Sequence, residues 1–191
     1  MFDTLKYYST FIMLIGIINT SCSAQQKIAT LSDNITTKAK LETYTIKKEQ
    51  QKATIENSKN KLANVKQSSP NMPIGIALVP YYVKIDLKEL TKICAKHISL
   101  NELESLTTSK HANIFIDMRT SIEAKVLEVS FFTDQNSILN LKQLESIENE
   151  IKTKNLITIK PEAERYIKGS NFLRINAIIY FDDVLKVKKT L

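Results

Sequence analysis

The most regular succession of apolar and polar positions lies in the last third of the chain. Over residues 112–119, Ile114, Ile116 and Met118 fall on one side, while Asn113, Phe115, Asp117 and Arg119 fall on the other. That period of two predicts a half-buried strand. A polar break from Thr120 to Ala124 leads into a second run at 125–133. There Val126, Glu128, Ser130 and Phe132 share one face, and Leu127, Val129 and Phe131 share the other. Two such runs predict an antiparallel hairpin, although no glycine marks the turn.

Past residue 137 the period becomes helical. Leu141, Leu144, Ile147 and Ile151 form one apolar stripe, with Lys142, Glu145, Glu148, Asn149 and Glu150 placed opposite, toward solvent. Asn140 is a suitable N-cap and Gln143 stands where a reciprocal bond forms. Residues 156–160 alternate again until Pro161. The strongest strand signal is 172–181, with Leu173, Ile175, Ala177, Ile179 and Phe181 on one face and Arg174, Asn176, Ile178 and Tyr180 on the other. Upstream, 81–85 reads as a strand. Asp86 with Glu89, and Ser99 with Glu102, open two short helices striped by Leu87, Leu90, Ile93 and Cys94, then Leu100, Leu103 and Leu106. The expected fold class is α+β: two short helices, then an antiparallel sheet (hairpin, helix, C-terminal strand) packed against one amphipathic helix.

Pro70, Pro73 and Pro80 mark a change of character, so the folded module is expected to span 73–191. Before it, 25–72 carries nine lysines against four acids and holds +5 of the chain's formal +7. Large apolar residues are sparse there. Leu41, Ile55 and Leu62 keep a heptad spacing, but Lys48 occupies the missing seam position. This segment reads as a lysine-rich polar tether, partly helical or disordered. Its lysines are dispersed among acids, without arginine or interleaved aromatics, which argues against nucleic acid as a partner. Anionic lipid headgroups are what such a tether would meet beside a bilayer.

Residues 1–24 have the form of an export signal: Lys6 precedes an apolar run at 11–18 that is short for a membrane span. Two processing routes fit. Lipidation of Cys22 would give an outer-membrane or periplasmic lipoprotein, held to the membrane by its N-terminal lipid. Cleavage after Ala24 would leave Gln25 first in a periplasmic or secreted protein. Either route leaves Cys94 as the remaining thiol, expected to be a buried small hydrophobe.

Candidate chemistry changes this picture little. His97 and His111 have no metal-ligand spacing, and Asp182 and Asp183 are adjacent and expected on the surface. His97, ending a helix, is expected to meet the terminal carbonyls. Tyr81 and Tyr82 are read as ordinary strand packing. No nucleophile elbow, Walker loop or dinucleotide-binding glycine pattern occurs. No catalytic residue, cofactor or metal ligand is assigned.

The order hairpin, helix, last strand resembles the TonB C-terminal domain and its relatives. Phe115-Ile116-Asp117, Lys125-Val126-Leu127-Glu128-Val129 and Ile178-Ile179-Tyr180-Phe181 stand at matching places. Ala124 replaces the family's usual glycine, and the helix lacks its alanine pair. The resemblance implies a module that takes a peptide of an envelope partner at a sheet edge, with Leu173, Ile175, Ala177, Ile179 and Phe181 as candidate contacts. The whole chain also resembles small exported proteins of Gram-negative bacteria. The alternative expectation is a structural envelope protein that associates with itself and takes no ligand.

Overall fold

Three strands precede everything the hydrophobic pattern predicts: β1 (Ile35–Lys38), β2 (Thr43–Glu49) and β3 (Lys52–Asn57). They appear in a computed structural model that describes residues 26–73, 79, 81–109 and 112–191. The expected tether is therefore half of the main sheet, and the fold begins well before Pro73. Tyr44, Ile46, Ala53 and Ile55 alternate with polar residues and are fully buried, as is Ile28 in the short turn before β1. The β2–β3 turn is made by Gln50 and Gln51 at φ +46° and +70°. Both take the left-handed geometry that a two-residue hairpin needs, without the usual Asn-Gly. The punctuation that would have announced these strands is missing.

The chain continues through β4 (Val83–Ile85), α1 (Leu87–His97), α2 (Leu100–Thr107), β5 (Asn113–Thr120) and β6 (Val126–Asp134). Then come α3 (Leu141–Thr153), β7 (Ile157–Ile159), α4 (Glu164–Ile167), β8 (Leu173–Tyr180) and α5 (Phe181–Lys188). Capping boxes form at Ser99–Glu102 and Asn140–Gln143 as expected; Asp86 accepts the Glu89 amide, but the Glu89 carboxylate pairs with Lys92 and Lys154 instead of closing the expected box. The main sheet is wholly antiparallel in the order β1-β2-β3-β6-β5-β8. The strand anticipated at 81–85 does not join it. β4 pairs with β7 in a separate two-stranded ribbon.

One face of the sheet is covered by a layer of helices, not by a single one. α3 packs on β6, α1 and α5 pack on β8, and α2 rests on α5. Phe181 and Val184 of α5 are fully buried, so the last strand runs straight into a helix that closes the core. Phe181 is thus a helix residue and not the end of the strand.

Two further expectations are corrected at residue level. In the hairpin, Arg119 pairs with Glu128 but Thr120 pairs with Val126, which leaves Leu127 as the extra residue of a bulge. Val126 consequently turns into the core while Leu127 points to solvent, reversing the parity read from alternation. On α3, Glu145 and Glu148 are buried instead of solvated. Glu145 accepts the backbone N–H groups of Lys40 and Leu41 at 2.6 and 2.8 Å, fixing the β1–β2 connection. Glu148 accepts from the Tyr44 hydroxyl (2.5 Å), Asn57 Nδ2 (3.3 Å) and Lys152 Nζ (2.5 Å). Burial, reinforced by the Glu148 carboxylate, pushes the Tyr44 phenol far above its ordinary range, so it stays a donor.

Candidate binding surface

The sheet face turned away from the helices is open over part of its area, and its cross-strand registers arrange it in rows. Thr54, Phe132, Phe115 and Ile178 form one row across β3, β6, β5 and β8. Lys52, Asp134, Asn113 and Tyr180 form the row on one side of it, and Glu56, Ser130, Asp117 and Asn176 the row on the other. Phe115 and Phe132 meet edge to face, with centroids 5.4 Å apart at 82°. Together with Ile178 they floor a depression of about 510 Å³, rimmed by Lys52, Asn113, Asp134 and Arg174. Ile178 is 48% exposed and Tyr180 54%, a pair of large apolar surfaces left beside the last strand.

The third row is electrostatic. Asp117 is fully buried, and Arg174 Nε reaches both its oxygens at 3.0 Å while Nη2 lies 2.8 Å from Oδ2. Arg119 shares the same carboxylate at 3.3 Å and donates to Ser130 Oγ at 2.8 Å; that hydroxyl donates to Glu56 at 3.4 Å. One carboxylate thus holds two guanidiniums, and its hydrogen bonds raise the Arg174 pKa further above its ordinary value. Arg174 remains half exposed at the mouth of the depression. Beyond Arg119 the face is roofed by the loop after β3. Glu128 accepts the Lys61 and Leu62 amides, and Asn60 Nδ2 donates to the Val129 carbonyl.

At the sheet boundary, β8 has β5 on one side and, among the described residues, no strand on the other. Its backbone alternates. The Phe181 N–H turns inward to the Ala112 carbonyl (2.9 Å), while the Arg174 N–H points outward to Gln67 Oε1 (3.3 Å). By the same alternation the N–H and C=O groups of Asn176 and Ile178 and the N–H of Tyr180 point away from β5, while the Tyr180 carbonyl, at the N-cap, opens α5. Nearer the start of the strand, Asn171 accepts from Ser68 and donates to the Lys66 and Ser68 carbonyls. Among the described residues the edge left unpaired therefore runs from Asn176 to Tyr180.

The structure moves the candidate contacts. Leu173, Ile175, Ala177, Ile179 and Phe181 are all buried under the helices, at 5% exposure or less. Their side chains belong to the core and cannot meet a partner. The alternate set, Asn176, Ile178 and Tyr180, is the one presented. Sequence alternation separated the two faces of this strand correctly: the wholly apolar one is covered by the helices, and the one bearing Arg174, Asn176, Ile178 and Tyr180 is left outside.

The other singled-out residues are scattered. Cys94 is buried on α1, where desolvation pushes its thiol up to about 12. His97 meets Glu150 at 2.7 Å instead of the helix carbonyls, next to Lys96 at 2.9 Å from the same oxygen. Asp182 and Asp183 lie exposed in the first turn of α5. Tyr82 stacks edge-on with Tyr166 at 5.2 Å, and Tyr81 is exposed. Cys22 and His111 lie outside the described residues. Among the described residues no group of three His, Cys, Asp or Glu side chains is placed to hold a metal, and no helix is long and apolar enough to cross a membrane.

Fold and surface together define an α+β protein with a half-covered antiparallel sheet. It is similar to the crystal structure of a DUF5043 family protein from Bacteroides uniformis, with a TM-score of 0.61 and 19% identity over 78% of this chain and 85% of that one. At that identity the likeness shows the fold. No family model and no curated protein matches the sequence.

Proposed function

We propose that this chain is a non-catalytic binding module of the cell envelope that takes an extended segment of a partner protein as a further strand on β8. The observation that carries this reading is the outward-facing backbone of Asn176, Ile178 and Tyr180, flanked by two exposed apolar side chains. Edge strands left long and apolar attract pairing unless they are blunted. Here no proline, bulge or lysine interrupts 175–180. The hairpin-helix-strand order resembling the TonB C-terminal domain supports the same reading, since that family pairs with short peptide segments. With three residues available for pairing, the expected affinity is modest.

The export signal read at 1–24 supports an envelope location, by lipidation of Cys22 or by release with Gln25 first. The mass of the mature N-terminus decides between them: a diacyl or triacyl adduct on Cys22, or an unmodified chain starting at Gln25.

Peptide display on the full chain, followed by amide exchange with a selected peptide, tests the pairing. Slowed exchange at Asn176, Ile178 and Tyr180 is expected. Tyr180→Pro should abolish binding, because Tyr180 has φ −84°, close to what proline requires, and its N–H faces outward. Tyr180→Thr serves as the side-chain control and should keep the amide protection. Selected peptides that leave those amides untouched would overturn the reading. The same edge could receive a second copy of the chain. Concentration-dependent dimerisation lost in Tyr180→Pro would favour that alternative.

A further inference from the structure

We infer that the strand received by β8 carries a set pattern: an apolar or aromatic residue facing Tyr180, a second facing Ile178, and an acidic residue facing Asn176, each separated by one residue. This rests on the edge pairing proposed above and specifies the partner's chemistry.

A strand added beside β8 would extend each row by one side chain, at direct cross-strand distance from the β8 member. The row Phe132–Phe115–Ile178 is apolar from β6 to the boundary, so the next member meets Ile178 and completes the wall of the depression. Tyr180 offers a second large exposed surface two residues on. In the row of Asn176 the controlling group is Arg174. Its side chain leans back over β5 to Asp117, which is Asn176's own cross-strand partner, so the guanidinium sits in that row. Asp117 is already divided between Arg174 and Arg119, and Glu56 lies farther in, behind Ser130. Nε and Nη2 of half-exposed Arg174 hold Asp117, and Nη1 is not among the atoms on that carboxylate, so the arriving carboxylate is assigned to Nη1.

Direction follows as well. Every pairing in this sheet is antiparallel, the slightly more stable geometry per residue. Read from its N-terminus, an antiparallel guest meets Tyr180 first, then Ile178, then Asn176. The motif is therefore apolar-x-apolar-x-acid. Gln67, already bonded to the Arg174 amide, ends the pairing on that side, and α5 ends it on the other.

The test uses the full chain and short labelled peptides in a threonine background: Phe-x-Phe-x-Glu, its reversal Glu-x-Phe-x-Phe, and Phe-x-Phe-x-Lys, read by fluorescence anisotropy and amide exchange. The first should bind about tenfold tighter than either control, with the Asn176, Ile178 and Tyr180 amides protected. Arg174→Gln should erase the Glu-over-Lys preference. Should loss of the Asp117 partner unfold that variant, Ile178→Thr still tests the pattern: it should weaken Phe-x-Phe-x-Glu while leaving a fourth peptide, Phe-x-Thr-x-Glu, unchanged. Equal binding of all three peptides with those amides protected overturns the pattern and leaves the edge reading standing. Preference for the reversed or lysine peptide overturns it too. Absence of binding and of protection with every peptide overturns both.

Discussion

Glu148 is the residue on which the two halves of the chain meet. Its carboxylate lies fully buried between Tyr44 and Asn57 from the N-terminal strands and Lys152 one turn along its own helix. Glu148→Ala leaves a phenol, an amide and an ammonium without their acceptor and should destabilise the protein by about 3–5 kcal/mol in urea unfolding. Tyr44→Phe removes one donor and should lower stability by about 1–2 kcal/mol. Neither buried acid was readable from spacing. Glu145 and Glu148 are three residues apart on one helix face, which is how a solvated stripe also looks, and their partners in the N-terminal segment lie 91 to 105 positions away.

Ala124 sits at φ +68°, where an L side chain is strained, and Ala124→Gly should raise stability by up to about 1 kcal/mol. Glu150 supplies a pH prediction. The hydrogen bond from Lys96, then that of His97, holds its carboxyl below the ordinary 4.5. A depressed carboxyl contributes stability that is fully present above its unfolded value and is lost as pH falls through the folded one. Glu150→Gln should therefore flatten the acid limb of the urea midpoint plotted against pH, below about pH 5, with little change in shape above it.

Among the elements, the hairpin, α1, α2, α3 and β8 were visible because each carries clear periodicity, reinforced in the helices by caps. The hairpin shows alternation, α1, α2 and α3 show capping residues, and β8 shows uninterrupted apolar alternation. β2 and β3 have equal alternation at Tyr44/Ile46 and Ala53/Ile55, but interspersed lysines and a Gln-Gln turn hide it. Those lysines cost little because every second position of these strands faces water. Replacing Gln50-Gln51 with Asn-Gly should relieve two left-handed residues and raise the thermal midpoint by several degrees, a gain of about 1 kcal/mol. α5 was missed for a different reason. Its two adjacent acids read as a tail after a strand, whereas they form the favourable first turn of a helix whose Phe181 and Val184 seal the core.

For the whole molecule, the consequence of the strand order is that no part of the sheet stands alone. Removal of residues 1–72 would strip β1, β2 and β3 from β6 and expose its long apolar edge. A 73–191 fragment should consequently aggregate or lose its cooperative melt by circular dichroism and size-exclusion chromatography, where the full chain gives a single transition. The class α+β was readable because the C-terminal pattern alone demands it. The extent of the sheet was not, since pairing across 74 to 82 positions leaves no local trace.

That long-range pairing also sets a schedule. Ribosomes deliver the N-terminal strands first, yet β3 has no neighbour to complete it until β6 emerges, and the β1–β2 connection has no anchor until Glu145 exists. Closure must await Glu145, about three quarters of the way along the 191 residues. Stalled nascent chains that end before α3 should therefore be cut by protease where longer ones resist.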